Sequence, residues 1–222
     1  MISYFMNGNA PFVAFVGILF AFAFTCLMTS KCSKFLPRDL GREFAVDGKL
    51  SAGKPRGAGI IFILVFTVSS LLFADINLEM IIYLALVVVE MLTGYLDDAS
   101  DKPWNEYKKG ILDLAVAVIT AVTYVHFNGS TIELAALGIS VTLPAAVYCI
   151  LAVILIWVSI NVTNCSDGVD GLSGTLSIIT LVTIYVLGQI LDMDKGFAFT
   201  ILLFVVCILG YLWYNATPSV LL

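Results

Sequence analysis

The residues best suited to chemistry lie between Asn161 and Gly174, a stretch that reads N-V-T-N-C-S-D-G-V-D-G-L-S-G. Asn161 and Asn164 stand three apart, as do the carboxylates Asp167 and Asp170. On a helix that spacing puts each pair on one face. Gly168, Gly171 and Gly174 allow a ligand to approach the backbone closely. Apolar runs, Leu143–Ile160 and Leu172–Leu191, flank the stretch on both sides. Polar and acidic residues are costly beside lipid unless they have a task, so this stretch reads as a site and not a connector.

A second acidic cluster, Asp97-Asp98 with Asp101, closes the apolar run that ends T-G-Y-L-D-D. Negative charge is unfavourable at a helix C-terminus, where the dipole already presents carbonyls. Three acids there call for a compensating cation. Mg²⁺, which takes one or two carboxylates plus substrate phosphates, meets that need. Lys108 and Lys109, just beyond, either mark the next span or reach substrate phosphate. Asp113, four residues on from Lys109, is spaced to pair with it on one helical face. Glu90, deeper in the same run as Asp97, is given no role.

The third element is a basic loop, residues 31–57, that ends K-L-S-A-G-K-P-R-G-A-G from Lys49. It reads either as an anchor to lipid headgroups or as an anion-binding loop beside a helix N-terminus. The Walker A spacing is absent. Two acidic clusters and a basic glycine loop on one membrane face describe a magnesium and diphosphate site.

The elements that position these groups follow from composition. The 222 residues are 60% hydrophobic and 12% charged, far from the soluble average of roughly 25% charged. The fold class is therefore an all-α, polytopic integral membrane protein. Seven apolar segments, near 11–30, 58–74, 79–96, 110–127, 143–160, 172–191 and 197–213, approach the ~20 residues a span needs, the second being short. The first is no cleaved signal peptide, since no basic residue precedes it. Ten of the eleven lysines and arginines fall in loops on one side of seven alternating spans. That side is expected to be cytoplasmic, with the N-terminus outside, and every candidate cluster lies on it. The outer connections are short or bland; Asn128 is expected in a turn. Five scattered cysteines argue against a disulfide framework. Cys165 reads as filler and the single histidine, His126, as an interface residue. The chain reads as a single transmembrane domain, 1–222.

The motif from Asn161 to Leu172 resembles the N-x-x-N-x-x-D-G-x-D-G-L signature of the polyprenyl-phosphate N-acetylhexosamine-1-phosphate transferase superfamily. G-Y-L-D-D from Gly94 resembles its first aspartate motif, and K-P-R-G-A-G from Lys54 its P-x-x-G-G loop, with alanine at one glycine. The twelve-residue signature is specific, and the resemblance covers the chain from about residue 30. It is nearest the branch of peptidoglycan synthesis. That resemblance implies Mg²⁺-dependent transfer of phospho-MurNAc-pentapeptide from UDP-MurNAc-pentapeptide to undecaprenyl phosphate, giving lipid I and UMP, in a bacterial inner membrane. The branch that uses UDP-GlcNAc shares these motifs.

By resemblance, Asp97 accepts the proton of, or orients, the attacking lipid phosphate, with Asp98 beside it. Asn164 and Asp97 hold Mg²⁺, and Asn161 and Asp167 line the substrate site. Asp170 and the backbone near Gly168 contact the donor's uracil, and Lys49 or Lys54 its phosphates. Family members have about ten spans. The end of the sequence, W-Y-N-A-T-P-S-V-L-L, resembles the approach to the family's M-G-D-x-G-S motif, which supplies a third aspartate, and a histidine cluster follows later. The given chain is thus expected to be a truncated form, inactive alone. No nucleic acid is implied, and a homodimer is left open. Two rival classes have clear discriminators. An intramembrane prenyltransferase would release diphosphate and leaves the asparagine pair unexplained. An ion-coupled transporter would place carboxylates near the bilayer midplane.

Overall fold

The structure, a computed structural model, describes residues 10–39, 52–100, 104–166 and 169–221. Among them are seven α-helices: α1 (Ala10–Cys32), α2 (Gly59–Phe73), α3 (Leu78–Asp98), α4 (Glu106–Asn128), α5 (Ala145–Ser166), α6 (Leu172–Ile190) and α7 (Lys195–Asn215). Six are long and apolar enough to cross a membrane. The exception is α2, whose 15 residues rise about 22 Å, short of a hydrocarbon core of ~30 Å. It packs against α1, α3 and α7, burying Ile61, Ile63, Val65, Phe66 and Phe73, while Leu64, Val68 and Leu71 on its other face stay exposed.

Local chemistry sets the helix ends. Asn77 and Asp194 accept the backbone N–H groups of Met80 (2.8 Å) and Phe197 (2.9 Å) and so cap α3 and α7. Asn105 caps α4 through Tyr107 N–H. Several helix hydroxyls turn back on their own helix, as Thr67 does to Ile63 O and Thr175 to Gly171 O. That disposes of polar groups lipid cannot satisfy.

The helices pack in the order α5, α4, α3, α2, α1, α7, α6 as an arc, with α2 also against α7 and a minor contact between α5 and α6. The core lies where α1, α2, α3 and α7 meet: Ala21, Val65, Phe66, Leu84, Leu203 and Cys207. Close approach needs small residues there. A Cβ on Gly210 would stand 2.9 Å from Thr25 Cβ, and one on Gly174 would stand 2.8 Å from Leu212 Cδ2, so glycine brings α7 against both α1 and α6. The arc's two end helices, α5 and α6, are its least buried. Their exposed Ile150, Leu155 and Ile190 suit lipid, not water.

One connection holds more than sequence reading expected. Thr131–Leu134 and Ile139–Thr142 pair as an antiparallel hairpin, with Ile132 opposite Val141 and Leu134 opposite Ile139. The alternation of apolar and polar residues in T-I-E-L and I-S-V-T is its signal. At that end of the bundle, Asn128, expected in a turn, is the last residue of α4 and donates to Glu79 Oε1. Among the described cysteines, 26, 32, 149 and 207 are free.

Candidate active site at one end of the helix bundle

Consecutive helices alternate in direction, so one end of the bundle collects the finish of α1, α3, α5 and α7 and the start of α2, α4 and α6. The candidate residues that the structure describes all lie at that end. Lys49, Asp167 and Gly168 fall outside the described residues.

The basic loop is built before it is functional. Residues 37–39 and 53–56 run antiparallel around an isolated bridge of Arg38 and Pro55: Asp39 N–H donates to Lys54 O (2.9 Å), Gly53 N–H to Asp39 O (2.8 Å) and Arg56 N–H to Pro37 O (2.9 Å). Arg38 adds a hydrogen bond to Gly53 O (2.9 Å). The buried Asp39 carboxylate faces Arg56 at 4.0 Å. Lys54 is therefore presented from a braced backbone. No local pattern signals this pairing, because residues 37–39 lie outside the glycine-rich motif.

Lys54 reaches across the bundle end to the other motif. Its Nζ donates to Ser219 Oγ at 2.7 Å and lies 3.6 Å from Asp170 Oδ2, while the Ser219 hydroxyl donates to that same carboxylate oxygen. Gly171, at φ +77°, turns the chain into α6. Its N–H donates to Asn215 Oδ1 (2.9 Å), and Asn215 Nδ2 donates to Leu221 O (3.3 Å). Asn215 is buried, so these bonds settle groups that would otherwise be costly. Neither Asn215 nor Ser219 was singled out from sequence. Both sit in a short polar stretch beyond an apolar run, with no motif of their own.

The acidic cluster is held on the other side. Asp97 Oδ2 is 2.5 Å from Lys109 Nζ, and Asp97 Oδ1 accepts the Trp104 N–H at 2.7 Å. Lys109 thus pairs across to α3. It does not pair along its own helix with Asp113, which lies against Glu90 instead. The i, i+4 rule describes an isolated helix; here the facing helix offers a nearer carboxylate. Lys108 caps the Trp104 ring, 3.2 Å from its centroid. Gly57, at φ +74°, brings the basic loop beside Asp98: a Cβ there would stand 3.5 Å from Asp98 Oδ2 and 3.2 Å from Tyr95. Tyr95 in turn packs on the apolar cluster of Leu36, Ala58, Ile61 and Leu221. That cluster joins the acidic half of the site to the basic half.

The asparagines occupy the last turns of α5, so they do share a helix. Asn161 donates to Trp157 O (2.8 Å), and Trp157 Nε1 donates to Gly110 O in α4 (2.9 Å). Asn164 is exposed. Among the described residues, no three Asp, Glu, His or Cys side chains converge as a complete metal cage. The adjacent carboxylates of Asp97 and Asp98 at a helix C-terminus are nonetheless a hard-oxygen donor set. They fit a Mg²⁺ ion that keeps waters and takes its remaining ligands from phosphate.

Residues 80–222 match the family model described as glycosyl transferase family 4. A phospho-N-acetylmuramoyl-pentapeptide-transferase of Treponema pallidum is 34% identical over 225 residues, covering 93% of this chain and 62% of that protein. Proteins of the same name from Symbiobacterium thermophilum and Bacillus subtilis are 31% and 26% identical, covering 80% and 91% of this chain. The chain therefore spans about three fifths of the Treponema relative's length.

Proposed function

Because this chain belongs to glycosyl transferase family 4, we propose that it forms the sugar-nucleotide end of a membrane phosphoglycosyl transferase of peptidoglycan synthesis. The donor is UDP-MurNAc-pentapeptide and the acceptor undecaprenyl phosphate, and the products are lipid I and UMP. The observation that carries this reading is the Lys54–Asp170 contact at 3.6 Å. It joins two motifs distant in sequence at the end of the bundle that also holds Asp97 and Lys109.

In this reading an oxygen of the lipid phosphate attacks the donor's sugar-linked phosphorus. The bond from that phosphorus to the bridging oxygen breaks, and UMP leaves. Such a transfer needs charge neutralisation and alignment more than covalent help. Mg²⁺, when bound by Asp97 and Asn164 with Asp98 beside it, supplies neutralisation of the diphosphate. Lys109 holds the Asp97 carboxylate and brings a cation to where phosphate oxygens gather. A phosphate monoester is already mostly ionised at neutral pH, so Asp97 is not needed to remove a proton; it orients the attacking phosphate only through the cations it holds, Lys109 and the bound metal. Lys54 meets the donor's phosphates, and Asp170 its uracil. Lys49, Asn161, Asp167 and the Gly168 backbone complete the donor side. The basic loops face the cytoplasm of a bacterial cell, where sugar nucleotides are found, and the N-terminus lies outside.

The test is a labelled-donor assay in liposomes containing undecaprenyl phosphate, using the natural full-length chain. UDP-MurNAc-pentapeptide is expected to yield radiolabelled lipid and UMP. Transfer from UDP-GlcNAc alone would assign the donor to the other branch. Release of diphosphate from a prenyl donor, without UMP, would overturn the transferase reading.

A further inference from the structure

The segment after α7, Ala216–Leu221, is not a loose tail. Val220 N–H donates to Tyr214 O (2.9 Å), Asn215 binds Leu221 O, and the Leu221 side chain is 2% exposed among Leu36, Ala58 and Ile61. Tyr214 is itself tied to Cys26 O in α1 at 3.1 Å. This strap is anchored at both ends. Between the anchors it delivers one hydroxyl, Ser219 Oγ, to the space between Lys54 and Asp170.

A serine hydroxyl has one proton to donate and lone pairs to accept. Here both capacities are used, the proton toward Asp170 and a lone pair toward Lys54. The consequence is a spacing. Lys54 and Asp170 sit 3.6 Å apart, wider than the roughly 2.7–2.9 Å of a direct charge-assisted hydrogen bond. With the hydroxyl removed, the ammonium is free to close onto the carboxylate. Each group would then satisfy the other, and both would be withdrawn from a ligand.

We propose that Ser219 is a positioning residue for the donor half of the site: its hydroxyl keeps Lys54 and Asp170 apart, so that Lys54 stays available to a nucleotide's phosphates and Asp170 to its base. This deepens the proposed function and rests on it for the identity of the ligand. The geometric claim about the three side chains stands separately.

Two measurements on the natural full-length chain test it. In the transferase assay, Ser219→Ala is expected to raise KM for the sugar nucleotide about tenfold, the effect of one hydrogen bond to a charged group, with a much smaller change in kcat. Ser219→Thr, which keeps the hydroxyl, is expected to restore KM. Unchanged KM in Ser219→Ala, or equal loss of kcat and KM behaviour in the Ala and Thr variants, overturns the proposal. In thermal melts, Ser219→Ala, Lys54→Met and the double variant are expected to be non-additive, because all three side chains act as one unit. Additive shifts overturn the geometry. Absence of transfer by the parental chain would instead sink the functional reading, and the melts would then decide the triad alone.

Discussion

The ammonium of Lys109, at the start of α4, lies 2.5 Å from Oδ2 of Asp97, at the end of α3. The two residues come from consecutive helices, and Trp104, just before α4, adds its N–H to the other carboxylate oxygen. The Asp97 side chain is 18% exposed and that of Lys109 35%. This clamp fixes the acidic motif's leading carboxylate at the mouth of the bundle, with Asp98 turned toward Gly57 of the basic loop.

Lys109 should therefore matter to turnover and little to assembly. Lys109→Met is expected to lower kcat by about 10²-fold, the lower range for loss of one positioned catalytic group, with helical content retained. Lys109→Arg is expected to be intermediate. Steady-state UMP release with the natural full-length chain measures this, and near-parental turnover in Lys109→Met would remove the clamp from the mechanism.

Chelation of divalent cations is expected to stop UMP release, and Mg²⁺ to restore it. Asp98→Asn should raise the Mg²⁺ concentration for half-maximal rate roughly tenfold, as loss of a carboxylate beside a metal ligand does. A magnesium titration of parental and variant chains reads this directly. Overlapping curves would place Asp98 outside the cation's reach.

Gly171 carries φ +77°, with Ala216 Cα 3.5 Å from where a Cβ would stand. Only glycine adopts that conformation cheaply. Gly171→Ala is expected to cost about 1–2 kcal/mol and Gly171→Asn less, since asparagine tolerates the left-handed region. Detergent unfolding curves would show the ranking; equal stability of Ala and Asn would contradict the conformational account.

Gly174 is a matter of space and not of backbone angle. A Cβ would meet Leu212 Cδ2 at 2.8 Å, so Gly174→Ala is expected to destabilise by about 1–3 kcal/mol through overpacking. Leu212→Ala in the same chain should recover part of that loss, because the clash is with one removable side chain. If the double variant is less stable than the sum of the singles, the α6–α7 contact has another basis.

The arrangement of spans was legible from sequence, and the helices begin and end within a few residues of the apolar runs, except that α5 continues six residues past Ile160 to Ser166 and carries both asparagines. The reason is that lipid imposes one rule on a spanning segment, about twenty apolar residues in a helix, which six of the seven helices meet. Short connections between consecutive helices then force alternation and gather Asp97-Asp98, Lys54 and Asp170 at one end. The site's outline was therefore legible too, once the glycine-rich acidic stretch was read as too polar to be idle. What the linear pattern left open is who meets whom. Lys109 had Asp113 on its own helix and took Asp97 across the turn. Ser219 and Asn215 lie in the stretch read only as the approach to a later motif, yet they tie Lys54, Asp170 and Gly171 together. Residues 37–39 brace the basic loop without any local signal. Hydropathy is a property of each segment taken alone, whereas a hydrogen-bond partner is chosen among groups that only packing brings within 3 Å. The sequence by itself determined the bundle and which end is charged. Only the tertiary structure decided the pairings that make those charges a site.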